Sequence, residues 1–397
     1  MTPVCLGDFE VRARTLLPKP TWDFIAGGSG AELTMRSNRA AFDAVRVVPR
    51  VLRGAALPDP AGRLCGTPAK MPVAVAPMAY QRLVHPDGEL AVARAAREAG
   101  VPMAVAMLSS VPIEQISAVG ATLWFQLYWL RDRGLMEELV GRAEAAGCRA
   151  LTVTVDVMRM GRRLRDIRNG FALPPHVAAA HLADGAAAAS VHADERSAVA
   201  VHVSLTFDPT LSWRDLAWLR ERTRLPLILK GILDHRDAAM AAEMGVDAIV
   251  VSNHGGRQFD GAVAAIDALP AVCAAVAGRC EVLLDSGVRG GIDVLKALTL
   301  GADGVLLGRP VLWGLVDGED GVTRVLSLLR EELIDAMTQV GCHDLPSIRD
   351  LAHWRQEAPA EHDNESYADG LWSTAPRPTT ASRSFSSTSS SGSDGHS

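Results

Sequence analysis

Eight short apolar runs recur along this chain, and nothing else in it restricts the fold so tightly. They span residues 72–78, 103–108, 121–128, 150–156, 225–231, 248–254, 281–287 and 304–310. Each is rich in Val, Ile or Leu and is nearly continuous in its apolar character rather than alternating. A strand buried on both faces reads this way, as in a parallel sheet covered by helices. Helix-like stretches lie between the runs, at 88–100, 135–147, 234–245 and 291–301, and each closes on a glycine, a usual helix stop. Repeated strand–helix units require right-handed crossovers and a parallel sheet. Eight of them predict an α/β fold closed into a (β/α)8 TIM barrel, with an open doubly wound sheet as the alternative.

The flanking segments read differently. Residues 1–70 predict a helical cap belonging to the same domain, with helices over 6–16 and 22–44. The barrel should occupy 71–355. The connection after run four is far longer than the others and holds an Ala-rich, polar-broken insert at about 172–205. Such a long loop is usually a lid or a disordered segment, and part of this one can be helical. The tail 373–397 is rich in Ser, Thr and Pro and predicts disorder. The net charge of −6 gives no reason to expect nucleic acid. No apolar run reaches the ~18 residues of a membrane span, and the first ten residues lack the form of a signal peptide. The six scattered cysteines form no C-x-x-C pair, which predicts a reducing cytoplasm and argues against a zinc site.

In such a barrel the active site lies at the C-terminal ends of the strands. Run one ends in Pro77-Met78-Ala79, and run three in Gln126 and Tyr128. Run four carries Thr154 and Asp156, with Arg163 beyond it, and run five ends in Lys230. Run six ends in Ser252-Asn253-His254, followed by Gly255-Gly256-Arg257. Run seven ends in Asp285-Ser286-Gly287-Val288-Arg289, and run eight in Gly308-Arg309. Nearly every strand thus delivers a polar or charged side chain to one rim.

Each of these residues has a bland reading beside the sharp one. Gly287, Gly290, Gly291 and Gly308 offer backbone N–H groups to a phosphate, and Arg289 and Arg309 add charge-assisted bonds. Tight turns with surface arginines are the alternative. A lone His is more often structural than catalytic. Here the glycines beside His254 allow close approach of a ligand, and Arg257 offers a bidentate clamp for a carboxylate. Asp156 can orient the imidazole, or cap a helix. Lys230 can face an anionic cofactor atom, or solvent. Arg163 has the weakest independent case.

Taken together these residues resemble the FMN-dependent 2-hydroxy-acid oxidase/dehydrogenase family, over about residues 6–355. The segment SNHGGRQ (252–258) is the family's signature. FQLY (125–128), LTVTVDVMRMGRRLRDIRNGF (151–171), LKG (229–231), DSGVRGG (285–291) and LGRP (307–310) follow in the family's order and spacing. Within it, TWDFIAGGSG (21–30) and APMAYQRLVHPDGE (76–89) look most like the bacterial subgroup that oxidises 4-hydroxymandelate on the way to 4-hydroxyphenylglycine, a building block of nonribosomal peptide antibiotics.

The resemblance implies FMN as cofactor, an aryl (S)-2-hydroxy acid as substrate and O2 as electron acceptor, giving a 2-oxo acid and H2O2. It implies His254 as the base with Asp156 behind it, and Arg257 and Arg163 on the carboxylate. Tyr128 would bond to the substrate, and Lys230 would face the N1/O2 edge of the flavin. Pro77, Met78, Ala79, Gln126, Tyr128, Thr154 and Ser252 would surround the ring. Asp285 would meet the ribityl chain, and Ser286, Gly287, Arg289, Gly308 and Arg309 would lie at the phosphate end. A homotetramer or larger assembly is implied too.

Three positions depart from the family pattern. Phe24 replaces a Tyr that reaches the carboxylate, which suits an aryl substrate. Ala106-Met107-Leu108 lacks the usual hydroxyl and aromatic. Ser286 replaces Gly and is expected to crowd the phosphate loop. Competing readings are the same chemistry on mandelate, lactate or glycolate, a dehydrogenase with another acceptor, a non-redox FMN isomerase, and an inactive binding barrel.

Overall fold

The structure is a computed structural model, and it describes residues 3–54, 57–182 and 198–356. The eight apolar runs supply eight strands: β1 (Val73–Val75), β2 (Met103–Ala106), β3 (Leu123–Leu127), β4 (Leu151–Thr154), β5 (Leu227–Ile232), β6 (Ala248–Val251), β7 (Glu281–Leu284) and β8 (Gly304–Leu307). All neighbours pair in parallel, and β8 pairs with β1 to close the barrel. The open-sheet alternative is therefore excluded. The runs extend past the strands onto the rim, where Pro77, Met78, Tyr128, Asp156 and His254 are only half-buried.

Alternation along each strand decides what faces inward. Val73, Val75, Met103, Val105, Phe125, Leu127, Val153, Leu229, Ile249, Val251, Leu284 and Leu307 point outward into the core shared with the helices. Ala74, Ala104, Trp124, Ala150, Ile228, Val250, Leu283 and Leu306 point inward and form a second, separate core inside the barrel. Counting by twos from these inward residues reaches Gln126, Thr154, Lys230, Ser252 and Asp285 at the C-terminal end. All five are buried polar residues. The barrel thus has an apolar floor and a polar upper layer.

A hairpin closes the opposite mouth. Strands Gly62–Leu64 and Thr67–Ala69 pair antiparallel across Cys65-Gly66, both with positive φ (46° and 71°), the signature of a two-residue primed turn. Leu64, Cys65 and Ala69 pack into the inner core, and the turn's N–H groups bond to the Glu281 carboxylate at the start of β7. The N-terminal segment is therefore not wholly helical.

The cap also differs from the single helix expected over 22–44. Two helices occur instead, Lys19–Ala26 and Leu33–Ala44, after a first helix at Leu6–Leu16. The Gly27-Gly28-Ser29-Gly30 break leads the chain over the barrel rim. Ser29 there donates its N–H to the carbonyl of Gly256, and Thr34 bonds to the loop beyond β6. Strand Val45–Val47 pairs with His353–Arg355, tying the cap to the end of the fold.

Barrel helices include Glu89–Ala99, Arg133–Ala145, His235–Glu243, Ala265–Val276 and Gly291–Thr299. The connection after β4 carries helices Leu164–Arg168, Ala198–Thr206 and Trp213–Arg220, so part of the insert is helical. The middle of the insert and the Ser/Thr-rich tail lie outside the described residues. Among the described residues, no helix is long and apolar enough to cross a membrane.

Candidate active site

A cleft opens at the C-terminal rim, between the strand ends, the cap and the connection after β4. Its centre is His254. The imidazole Nδ1 lies 2.9 and 3.1 Å from the two carboxylate oxygens of Asp156. A carboxylate can only accept there, so Nδ1 carries the proton and Nε2 presents a lone pair to the cleft. Burial pushes the His254 pKa below its ordinary value, against the pull of Asp156. Burial alone would raise Asp156, but His254 and Lys230 outweigh it and hold the carboxyl below its usual range. Gly231 makes this approach possible: its φ is +114°, and a Cβ there would sit 2.7 Å from the Asp156 side chain.

The turn carrying His254 is left-handed for three consecutive residues, with φ of 59°, 67° and 75° at His254, Gly255 and Gly256. Glycine is required at the third: besides its φ, a Cβ would meet the Met35 backbone N at 2.6 Å. The cap therefore packs directly on the signature turn. Asn38 of the cap forms a reciprocal amide pair with Asn253, at 2.9 and 2.7 Å.

Lys230 sits on the inner face of β5, its ammonium 2.9 Å from Asp285 and 3.1 Å from the Ser252 hydroxyl. Burial opposes its charge, but Asp285 and Asp156 more than compensate and raise its pKa. Gln126 donates to Thr154 at 3.0 Å and accepts from the Met107 N–H at 3.3 Å. Pro77, Met78 and Ala79 form the wall after β1, and Gly287, Gly308 and Arg289 line the end near β7 and β8.

Four guanidiniums converge on this rim, and among the described residues none of them is ion-paired to a carboxylate. Burial lowers Arg163 to about 9, with Arg257 adding to the effect, and its buried Nε has no hydrogen-bond partner. Arg257 donates through Nη1 to the carbonyls of Phe24 and Gly27, at 2.7 and 2.8 Å. Arg289 is lowered to about 10 by burial and stacks 4.8 Å from the Trp313 ring. Arg309 is lowered too, by burial and then by Arg257, Arg289 and Arg163. It bonds to the carbonyls of Ile25, Gly27 and Gly255, so it also straps the cap loop to the rim. Half-buried cations that repel one another give this rim the chemistry to hold an anion.

The predicted residues therefore converge, but the aromatic wall was not foreseen in full. Phe24 stacks on Phe171 at 4.5 Å, and both Arg257 and Arg163 lie over its ring, at 5.3 and 5.9 Å. Tyr128 stacks on Phe207 at 4.7 Å. Phe207, Val199 and Val203 come from the connection after β4, and Leu108 from the end of β2. Leu108 ends the second apolar run, but the only sequence signal for the other three is the apolar patch at 198–207, which does not reveal what it covers.

The match to known proteins is extensive. The FMN-dependent dehydrogenase family matches residues 13–355. The chain belongs to that family. It is 53% identical over 352 residues to the 4-hydroxymandelate oxidase of Amycolatopsis orientalis, covering 88% of this chain and 98% of that protein. It is 46% identical over 353 residues to an L-lactate oxidase of Nostoc sp., covering 87% and 97%. Human 2-hydroxyacid oxidase 1 is 42% identical over 350 residues, covering 87% and 95%. A solved structure of mandelate oxidase with (S)-4-hydroxymandelic acid superposes with a TM-score of 0.88 at 52% identity, covering 90% of this chain and all of that one. Membership of the FMN-dependent dehydrogenase family makes FMN the cofactor, and the chain is an FMN-dependent 2-hydroxy-acid oxidase.

The residues present fit FMN. The flavin's phosphate is a dianion, and Arg289, whose cation burial disfavours, lies beside backbone of Gly287 and Gly308 where an anion would relieve it. The inner polar layer of Gln126, Thr154, Lys230 and Ser252 offers the donors and acceptors that a polar ring edge requires.

Proposed function

We propose that this chain oxidises an aryl (S)-2-hydroxy acid, (S)-4-hydroxymandelate, to 4-hydroxyphenylglyoxylate, with O2 reduced to H2O2. The observation that carries the substrate is the apolar wall of Phe24, Phe207 and Val203 beside the paired guanidiniums. A carboxylate between Arg163 and Arg257 leaves the far side of the substrate against aromatic and aliphatic surface, which a short acid such as glycolate would not fill. The 53% identity to a 4-hydroxymandelate oxidase points the same way.

The geometry supports the following roles. Arg257 and Arg163 hold the carboxylate, and the unpartnered Nε of Arg163 gains an acceptor when it binds. Tyr128, rigid against Phe207, offers its phenol to the polar side of the substrate. His254 accepts the substrate proton at Nε2, while Asp156 fixes the tautomer and stabilises the imidazolium that forms. Bound FMN supplies the two-electron acceptor. Lys230 places a fixed positive charge in the inner layer where negative charge develops. Pro77, Met78, Ala79, Gln126, Thr154 and Ser252 contact the ring, Asp285 the ribityl side, and Ser286, Gly287, Arg289, Gly308 and Arg309 the phosphate end. The 2-oxo acid product would feed an amination that yields 4-hydroxyphenylglycine for antibiotic biosynthesis. The six free cysteines accord with a reducing cytoplasm, and the family resemblance with a homotetramer.

The test is anaerobic bleaching of the flavin by (S)-4-hydroxymandelate, (S)-mandelate, lactate and glycolate, offered separately. Fast bleaching by the aryl acids is expected. Faster bleaching by lactate or glycolate would overturn the substrate, and bleaching by none would overturn the roles assigned here.

A further inference from the structure

Ser286 is buried and holds a positive φ of 73°, a backbone conformation that glycine adopts without strain and serine does not. Its hydroxyl is fully used. Oγ accepts the N–H of Asn253 at 3.3 Å and the N–H of Gly255 at 2.9 Å, and it donates to Asp285 Oδ1 at 2.7 Å. The N–H between those two, that of His254, is accepted by the Ser252 hydroxyl at 3.0 Å, and the next, that of Gly256, by Asn253 Oδ1 at 3.0 Å. The left-handed turn under the imidazole is thus held by side chains at four successive amides. Ser286 alone secures the two that flank His254.

We propose that Ser286 is a positioning residue for His254, and that its hydroxyl couples the His254 turn to the Lys230–Asp285 pair. Asp285 accepts from Ser286 through Oδ1 and pairs with Lys230 through Oδ2 at 2.9 Å, and Lys230 returns to Ser252. The circuit is closed: the ammonium of β5, the carboxylate and hydroxyl after β7, and the backbone of the turn after β6 share one set of bonds. Ser286 does not merely fill space in the phosphate loop, because its oxygen is directed at the turn carrying the imidazole. The backbone strain is retained because a glycine, though relaxed, would leave the buried amide of Asn253 and the part-buried amide of Gly255 without this acceptor. This inference rests on His254 being the base.

The experiment compares FMN-loaded Ser286→Gly and Ser286→Ala with the natural chain. Both lack the hydroxyl, but only the first relieves the strained φ, so their stabilities should differ while their defects in reduction agree. A fall of roughly 10- to 100-fold in the anaerobic flavin-reduction rate is expected in both, with substrate affinity within about threefold, as for a displaced reacting group. Hydrogen exchange of the 252–256 segment should quicken about tenfold or more in both. Unchanged exchange in Ser286→Gly overturns the proposal, and so does a slow Ser286→Ala beside a normal Ser286→Gly. His254→Ala, measured in parallel, separates the two ideas. If it still reduces flavin rapidly the base is elsewhere, whereas the exchange data judge Ser286 on their own.

Discussion

At the scale of single residues, the site places unequal demands on its bases and cations. As the proposed base His254 must be neutral to accept a proton, and burial favours that form by lowering its pKa, although Asp156 pulls the other way. Neutral imidazole predominates above the pKa, so kcat/KM should rise with pH through an acid limb lying below 6.5. Asp156→Asn removes the group that raises the pKa, so the limb should move to still lower pH. The plateau should fall by about 10²-fold or more, because the imidazolium loses its partner. A limb that stays in place would show that another group titrates. His254→Ala should retain FMN and reduce it about 10²- to 10⁴-fold more slowly. A different kind of cost attaches to Arg163. Its pKa is pushed down to about 9 by burial and by Arg257, and its Nε is unpartnered. Arg163→Met should therefore leave the thermal midpoint of the substrate-free protein unchanged or higher while raising KM roughly 10- to 100-fold, the loss of a buried charge-assisted bond. A fall in midpoint with KM unchanged would mean that the guanidinium is structural.

At the scale of elements, the strands were legible in the sequence because burial on both faces leaves a continuous apolar run. The polar ends of those runs mark the rim because a barrel admits polar side chains at the C-terminal end, where the cleft opens. Which side chains face inward was not legible, because the runs do not alternate; the structure turns Trp124 and Ile228 inward, and counting by twos from them reaches Gln126 and Lys230. Contacts across long separations were not legible. Nothing near Tyr128 announces Phe207, and nothing near Gly256 announces Met35. The cap was misread at Gly27-Gly28-Ser29-Gly30, where glycines that break a helix also bring the chain onto the signature turn. The helix Ala198–Thr206 shows the functional side of this limit. Its apolar pattern suits burial, but only the structure shows that Val203 and the following Phe207 face the cleft. Phe207→Ala should raise KM for aryl acids about tenfold and leave KM for lactate nearly unchanged, since the lost apolar contact belongs to the ring. Equal effects on both substrates would place Phe207 behind Tyr128 as a support alone.

At the scale of the whole molecule, the barrel has two stacked interiors with opposite requirements. The lower one is apolar, sealed by the hairpin through Leu64 and Cys65, and stabilises the fold regardless of ligand. The upper one holds Lys230, Asp285, Gln126 and Thr154, with Arg163, Arg257, Arg289 and Arg309 around it. Burial works against every one of those guanidiniums, protein carboxylates such as Asp166, Glu10 and Asp293 offset it only in part, and a bound anion would add to that relief. Stability should therefore be linked to the cofactor. A ligand that binds only the folded chain stabilises it by about 2.7 kcal/mol at 100 times its Kd and about 4.1 kcal/mol at 1,000 times. For a protein of this size that corresponds to a rise in Tm of about 3–6 °C. FMN-stripped protein should melt lower by this margin and regain it in proportion to the logarithm of added FMN. Riboflavin, which lacks the phosphate, should restore less, and Arg289→Met should shrink the difference between the two flavins. Differential scanning fluorimetry across an FMN titration reads all three. Equal stabilisation by riboflavin and FMN would remove the phosphate end from the arginine site, and the surplus of buried cations would then answer to the substrate carboxylate alone.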